Sequence, residues 1–166
     1  MSRDRFVATQ RSVISSPFGN IELEETDGFL KFVRRTRKAV TAGKMSPVIK
    51  EASRQLGLYF KGKLTRFDLP IDPDGTAFQK KVWEAMADIP YGAMWSYQQL
   101  AKKIGHPRAA RAVGTANARC EMWIIIPCHR VISASGAIGG YGGSTDIKKK
   151  LLELEKASPQ VPAFLP

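Results

Sequence analysis

Residues 124–131 read Ile-Ile-Ile-Pro-Cys-His-Arg-Val, an apolar strand-like run that halts at Pro127 and delivers a thiol and an imidazole at its end. The thiolate is the nucleophilic form of cysteine. The positive character of His129 and Arg130 beside Cys128 favours that form over a thiol at its unperturbed ~8.5. The commoner alternative is a buried cysteine acting as a small hydrophobe. Adjacent side chains on an extended strand face opposite ways, so a direct Cys128–His129 contact needs a turn or helical start here, or a bridging water. Residues 148–156 offer a third group. On a helix, Leu151, Leu152 and Glu155 share one face while Glu153 points elsewhere, which carries the Glu155 carboxylate toward apolar surroundings where it needs a partner. That partner is either His129, completing a Cys-His-Glu relay, or one of the neighbouring lysines.

Other chemistries fit poorly. Two cysteines, Cys120 and Cys128, and two histidines, His106 and His129, match no common zinc spacing and make no disulfide framework, so neither metal nor cofactor is expected. Cys120 is structural filler or an accessory thiol. The Gly-rich stretch 133–143 lacks the Walker lysine and the dinucleotide-binding spacing, and suits a wall around a small planar ligand with Tyr141 exposed on it.

These groups must be positioned by two differently patterned halves. Residues 11–34 alternate in the strand manner around Ser16–Asn20 and Thr26–Gly28, which predicts an antiparallel meander. Ser46 and Pro47 then open a helix with Val48, Ile49, Ala52, Leu56 and Tyr59 on its apolar face. A looping stretch with Pro70, Pro73 and Asp74-Gly75 is the natural boundary, giving an N-terminal sheet and helix domain over 1–75 and a second, more helical domain over 76–166. Thr76 with Gln79 and Ser96 with Gln99 are capping boxes for two helices, the second running from Tyr97 to Ile104. After Gly105-His106-Pro107 a further helix covers roughly 108–117. Two short helices around a tight turn make a helix-turn-helix, or a helix pair that binds no DNA. The second helix is built almost wholly from small residues, so its backbone can approach another surface closely, and Arg111 on it can reach phosphate or occupy the gap left by a displaced base. The fold class is mixed α/β (α+β): a small antiparallel sheet with a helix, then a mostly helical part.

At 166 residues, with 26 Lys+Arg against 15 Asp+Glu, the chain carries a formal charge of +11 spread over both halves, which favours a polyanionic partner. A 43% hydrophobic content supports a core and argues against disorder. No apolar run approaches a membrane span and the first residues do not resemble a signal peptide, so a soluble, intracellular protein without membrane association is expected.

The run Pro127–Val131, with Arg111-Ala112-Val113-Gly114 before it and Gly139–Gly143 and Leu151–Glu155 after it, strongly resembles the alkylguanine-DNA alkyltransferases. The likeness covers roughly 76–156, with a looser fit of the N-terminal half. It implies a monomeric suicide repair protein that flips an O6-alkylguanine, or an O4-alkylthymine, out of duplex DNA and moves the alkyl group irreversibly to Cys128 without a cofactor. By position, Cys128 is the acceptor, His129 its base through water, and Glu155 the end of the relay. DNA contacts are expected from Tyr97, Gln98, Ala110, Arg111 and Gly114. Trp123, Val131, Ser135 and Tyr141 are expected to line the substrate pocket, with Tyr141 helping to neutralise the departing O6 atom.

Two features depart from the family pattern. Cys120-Glu121 stands where an Asn-Pro pair is usual, the Asn there hydrogen-bonding backbone to hold the active-site turn, and Trp123 stands where smaller residues are common. Poorer reaction with O6-benzylguanine than with methylated DNA is expected from the second. Residues 1–75 contain no Cys or His, so the zinc site of many relatives is absent. A damage sensor that binds the lesion without transfer and a Cys-His hydrolase are the alternatives weighed; the retained Cys128 speaks against the first and the helix pair against the second.

Overall fold

The computed structural model describes residues 7–138 and 144–156. Strands β1 (Thr9–Ile14), β2 (Asn20–Thr26) and β3 (Phe29–Thr36) form an antiparallel meander in sequence order, with Ile14 opposite Ile21 and Leu23 opposite Val33. Asp27 and Gly28 both lie in the left-handed region, at φ 52° and 84°, the two-residue geometry whose twist matches that of the flanking strands. Helix α1 (Pro47–Phe60) begins where expected: the Ser46 side chain accepts from the Ile49 amide and Pro47 occupies the first turn. Its Ile49, Ala52, Leu56 and Tyr59 form a buried stripe against the sheet.

The open edge of β3 is taken up twice. Leu30 exchanges backbone hydrogen bonds with Pro70 and Asp72, both 2.9 Å, and Val33 with Glu121 and Trp123, at 2.7 and 2.8 Å. Edge groups that would template aggregation are thereby satisfied internally. The second pair also ties the sheet directly to the segment leading into Cys128.

Beyond the connecting loop, α2 (Ala77–Ala87), α3 (Tyr97–Lys103) and α4 (Ala110–Ala118) pack on one another, α2 and α3 each starting with a complete capping box. Gly105, at φ 79°, turns the chain after α3. Trp83 on α2 donates its indole N–H to the Ala116 carbonyl at 2.8 Å, fixing α2 against α4. Strands β4 (Trp95–Ser96) and β5 (Val131–Ile132) pair in parallel, and α5 (Thr145–Lys156) completes the described chain. One continuous apolar cluster joins Ile21, Leu23 and Val33 of the sheet to Leu100, Ile124 and Leu151. Among the described residues no helix is long and apolar enough to cross a membrane.

The mixed α/β fold class agrees with expectation, but the isoleucine run does not. Residues 123–126 form a turn rather than a strand, with Ile126 N–H donating to Met122 O at 3.0 Å and Ile124 at φ 68°. Strand propensity reflects packing on a pleated surface, and here the same apolar side chains are buried by a compact turn. The left-handed conformation is unfavourable for a β-branched residue by about 1–3 kcal/mol, offset by burial of all three isoleucines in the core.

Candidate active site

Pro127 leads into a single 3-10 turn formed by Cys128, His129 and Arg130, after which the chain enters β5. The Cys128 amide bonds Ile126 O at 2.8 Å and the Arg130 amide bonds Pro127 O at 3.0 Å. The chain therefore takes a helical turn at Cys128–Arg130, one of the local geometries expected for this segment. Cys128 is 3% exposed and His129 fully buried.

Glu155 reaches this turn from α5, whose Leu151 and Leu152 are buried while Glu153 is exposed. His129 Nε2 lies 2.6 Å from Glu155 Oε1. Burial drives the His129 pKa down against the pull of Glu155, so the imidazole is neutral near pH 7. Its Nε2–H then donates to the carboxylate and the lone pair resides on Nδ1, the nitrogen that can accept a proton. Burial pushes the Glu155 carboxyl up, but the charges and hydrogen bonds of His129 and Arg130 outweigh it and hold the group at about 2. Of the two candidate partners for Glu155, the structure selects His129 and not a lysine.

Arg130 and Tyr59 were not foreseen in this network. The Arg130 guanidinium forks onto Glu155, with Nε 2.9 Å from Oε2 and a terminal nitrogen 2.9 Å from Oε1, and its other terminal nitrogen donates to Ile89 O at 2.6 Å. Tyr59, from α1, donates its hydroxyl to Glu155 Oε1 at 2.8 Å and sits 3.5 Å from His129 Nε2. Burial first, and then the Glu155 charge, push the Tyr59 phenol upward, so it remains a donor. Lys148 is also buried. Its ammonium donates to Val131 O at 2.6 Å, pinning the exit of the Cys128 turn, and burial lowers its pKa against the opposing charge of Cys128. Tyr59 read as one more apolar stripe residue and Lys148 as one lysine among three; an inward polar atom on either could be found only by knowing what the stripe packs against.

The remaining residues separate into groups. Tyr97 is half-buried and packs on Gly114 of α4; burial is the main reason its phenol is raised, with the Asn117 side chain pulling the other way and the Cys128 charge adding to the rise. Arg111 is exposed, Ala110 half-buried, and Gln98 donates to Pro107 O at 2.7 Å, bracing the turn between α3 and α4. Val131 is fully buried behind the turn, and Trp123 is 5% exposed within the core. Ser135 is exposed and bonds Ser133 at 2.9 Å. Tyr141 and the rest of 139–143 lie outside the described residues. A cavity of about 650 Å³ is lined by Met94, Ser96, Gln98, Ile132, Ser133 and Leu152 among others, and Cys128, His129 and Glu155 are not in its lining.

A cysteine at the head of a helical turn, backed by a neutral imidazole and an ionised carboxylate, is suited to one class of chemistry: nucleophilic attack by sulfur with the base close by. Models of the 6-O-methylguanine DNA methyltransferase ribonuclease-like domain and of the 6-O-methylguanine DNA methyltransferase DNA binding domain match residues 10–73 and 77–157. The methylated-DNA–protein-cysteine methyltransferase of Methanosarcina acetivorans is 45% identical over 150 residues, 87% of this chain and 96% of that protein. The crystal structure of Mycobacterium tuberculosis O6-methylguanine methyltransferase superposes with a TM-score of 0.82 at 42% identity, covering 94% of this chain and 96% of the other. That of Mycobacterium tuberculosis OGT in complex with DNA gives 0.81 at 45% identity, covering 89% and 93%. The chain belongs to the methylated-DNA–protein-cysteine methyltransferase family.

Proposed function

We propose that this protein repairs DNA by moving the alkyl group of O6-alkylguanine, and of O4-alkylthymine, irreversibly and stoichiometrically to Cys128. Family membership supports DNA repair by alkyl transfer to a cysteine. The observation that carries the assignment to Cys128 is its place at the head of the turn whose next residue, His129, is bound to Glu155. The Cys128 sulfur attacks the alkyl carbon, the carbon–oxygen bond breaks, and the electron pair passes to the base, whose ring nitrogen (N1 of guanine) takes up a proton as the freed oxygen becomes the carbonyl of the unmodified base. His129 Nδ1 takes the thiol proton through a water, and the negative Glu155 stabilises the imidazolium as it develops. A thioether cannot return the group, so each molecule acts once.

DNA of the duplex form is the partner, met by the α3–α4 pair acting as a helix-turn-helix. The small residues Ala110 and Gly114 let the backbone of α4 approach, and exposed Arg111 inserts where the lesion base has left the stack. Tyr97 contacts the phosphate of the flipped nucleotide, and the pocket is completed by Val131, Ser135, Trp123 and Tyr141. Flipping costs a few kcal/mol, offset by the inserted arginine and the pocket contacts. The protein works as an intracellular monomer with an N-terminal sheet and helix domain over 1–75 and a DNA-binding and active-site domain over 76–166.

The test is intact mass and peptide mapping after mixing with excess duplex DNA containing O6-methylguanine. One methyl gained on Cys128, stopping at one equivalent, is the expected result. Tight lesion-dependent binding without mass gain overturns the transfer reading in favour of a damage sensor.

A further inference from the structure

We propose that Arg34 and Glu121 are positioning residues for alkyl transfer: their ion pair, beside the Val33 backbone bonds, lets the N-terminal sheet hold the turn that presents Cys128. This deepens the reading of Cys128 as acceptor and rests on it. Arg34 lies on β3, and its Nη1 is 3.6 Å from Glu121 Oε1. Glu121 is the second residue of the pair at which this chain departs from the family pattern, and a proline there carries no carboxylate. Both residues act through the backbone that leads from Glu121 to Cys128.

Exposed ion pairs in general contribute little, because two long side chains lose freedom in order to meet. Here one partner is already held. The Arg34 guanidinium lies over the Phe32 ring, 4.0 Å from its centroid, and donates through Nε and Nη2 to Glu22 Oε2 at 3.3 and 3.2 Å. Glu22 is 3% exposed, and the hydrogen bond from Lys38, then that from Arg34, hold its carboxyl below the ordinary value against burial, so it stays charged. With two nitrogens and one ring face engaged, the third nitrogen is left toward Glu121. The pair therefore forms at a lower entropic cost than one between two free side chains.

Glu121 is held twice, by its side chain and by its backbone. Its carbonyl accepts from the Val33 amide at 2.7 Å, and the Trp123 amide donates to Val33 O at 2.8 Å. From there each link to the acceptor is short: the Ile126 amide bonds Met122 O at 3.0 Å, and the Cys128 amide bonds Ile126 O at 2.8 Å. The same run contains Ile124 at φ 68°, a conformation that persists only where the surrounding structure imposes it. Loosening Glu121 frees the start of this run, lets Ile124 relax, and changes where the Cys128 sulfur sits relative to the His129 imidazole. The chemistry is unaltered, but a smaller fraction of molecules holds sulfur and base in the reactive arrangement.

Glu121→Ala, Arg34→Met and the double variant are compared with the unaltered full-length protein. Single-turnover methyl transfer from O6-methylguanine DNA is measured beside DNA affinity by anisotropy. The pH profile of Cys128 alkylation by iodoacetamide is read without DNA, by peptide mapping. Arg34→Met also strips buried Glu22 of a partner, so if urea unfolding shows it partly unfolded, Glu121→Ala, at a position 60% exposed, decides alone. Each single change is expected to slow transfer by about fivefold with DNA affinity unchanged, and to move the alkylation profile to higher pH. The double variant is no slower than the slower single one, since both remove the same interaction. Glu121→Gln, whose side-chain oxygen still accepts from Arg34, recovers part of the rate. Transfer by Glu121→Ala within about twofold of the unaltered rate, losses that multiply in the double variant, or an unmoved alkylation profile overturns the proposal. The iodoacetamide readout is independent of repair: a moved profile in a protein that accepts no methyl refutes the transferase reading and leaves the positioning pair standing, and normal methyl acceptance with an unmoved profile does the reverse.

Discussion

The Tyr59 hydroxyl, carried on a helix of the N-terminal half, donates to Glu155 Oε1 at 2.8 Å, the same oxygen that His129 Nε2 meets at 2.6 Å. One carboxylate oxygen thus serves the imidazole and an element far away in sequence. The sheet and α1 are not merely a scaffold, since α1 supplies a hydrogen bond to the group that orients the base.

Replacing Tyr59 with Phe keeps the ring packed and removes only that donor. Hydrogen bonds to charged groups contribute about 1.5–3 kcal/mol, and Arg130 continues to satisfy Glu155, so a stability loss of about 1–2 kcal/mol is expected in urea unfolding. Glu155, relieved of one competitor, pulls harder on the His129 proton. The acidic limb of the single-turnover rate against pH moves upward; an unmoved limb would show that Tyr59 acts on stability alone.

Acidification destabilises the fold in two windows. The folded His129 pKa lies below its ordinary 6.5, so the unfolded chain binds that proton first and stability declines as pH falls from about 6.5. Glu155 sits at about 2 in the fold against an ordinary 4.5, so its contribution is fully present above 4.5 and is lost as pH falls from there toward 2. Unfolding midpoints measured between neutral pH and pH 3 should fall continuously, and His129→Gln should flatten the upper part of the curve.

Lys148→Met preserves the length of the buried side chain but orphans the Val131 carbonyl. A buried acceptor left without its donor costs about 1–3 kcal/mol. Because Val131 is the residue whose amide closes the Cys128 turn, loosening it should slow alkyl transfer as well, with DNA affinity measured by anisotropy unchanged.

Arg111 is exposed and its side chain has no hydrogen bond or ion pair among the described residues, so Arg111→Ala should leave the unfolding midpoint within experimental error. DNA binding should weaken, and the slope of log affinity against log salt should become shallower by about one unit if the side chain contacts phosphate. An unchanged slope with lost lesion preference would place it among the bases instead.

Trp123 fixes a large side chain near the turn, and reaction with O6-benzylguanine should be slower than with O6-methylguanine DNA. Equal rates would remove Trp123 from the pocket wall, consistent with its burial in the core.

Local patterns in the chain were enough for the meander, the Ser46, Thr76 and Ser96 caps, the α3–α4 turn at Gly105, and the inward face of α5 that brings Glu155 to the site. Each is encoded within a few residues, through turn chemistry, side-chain capping or helical period, and so is readable without knowing any distant neighbour. Tertiary structure alone decided that Ile124–Ile126 coil into a turn instead of a strand, since burial satisfies the same apolar side chains either way and only the docking of residues 121–123 on β3 selects between them. It alone brought Tyr59 and Arg130 onto Glu155 and Lys148 onto Val131. Those contacts join groups brought together by packing of the whole core, and a buried polar atom has no local signature; its identity follows from the partner that waits for it.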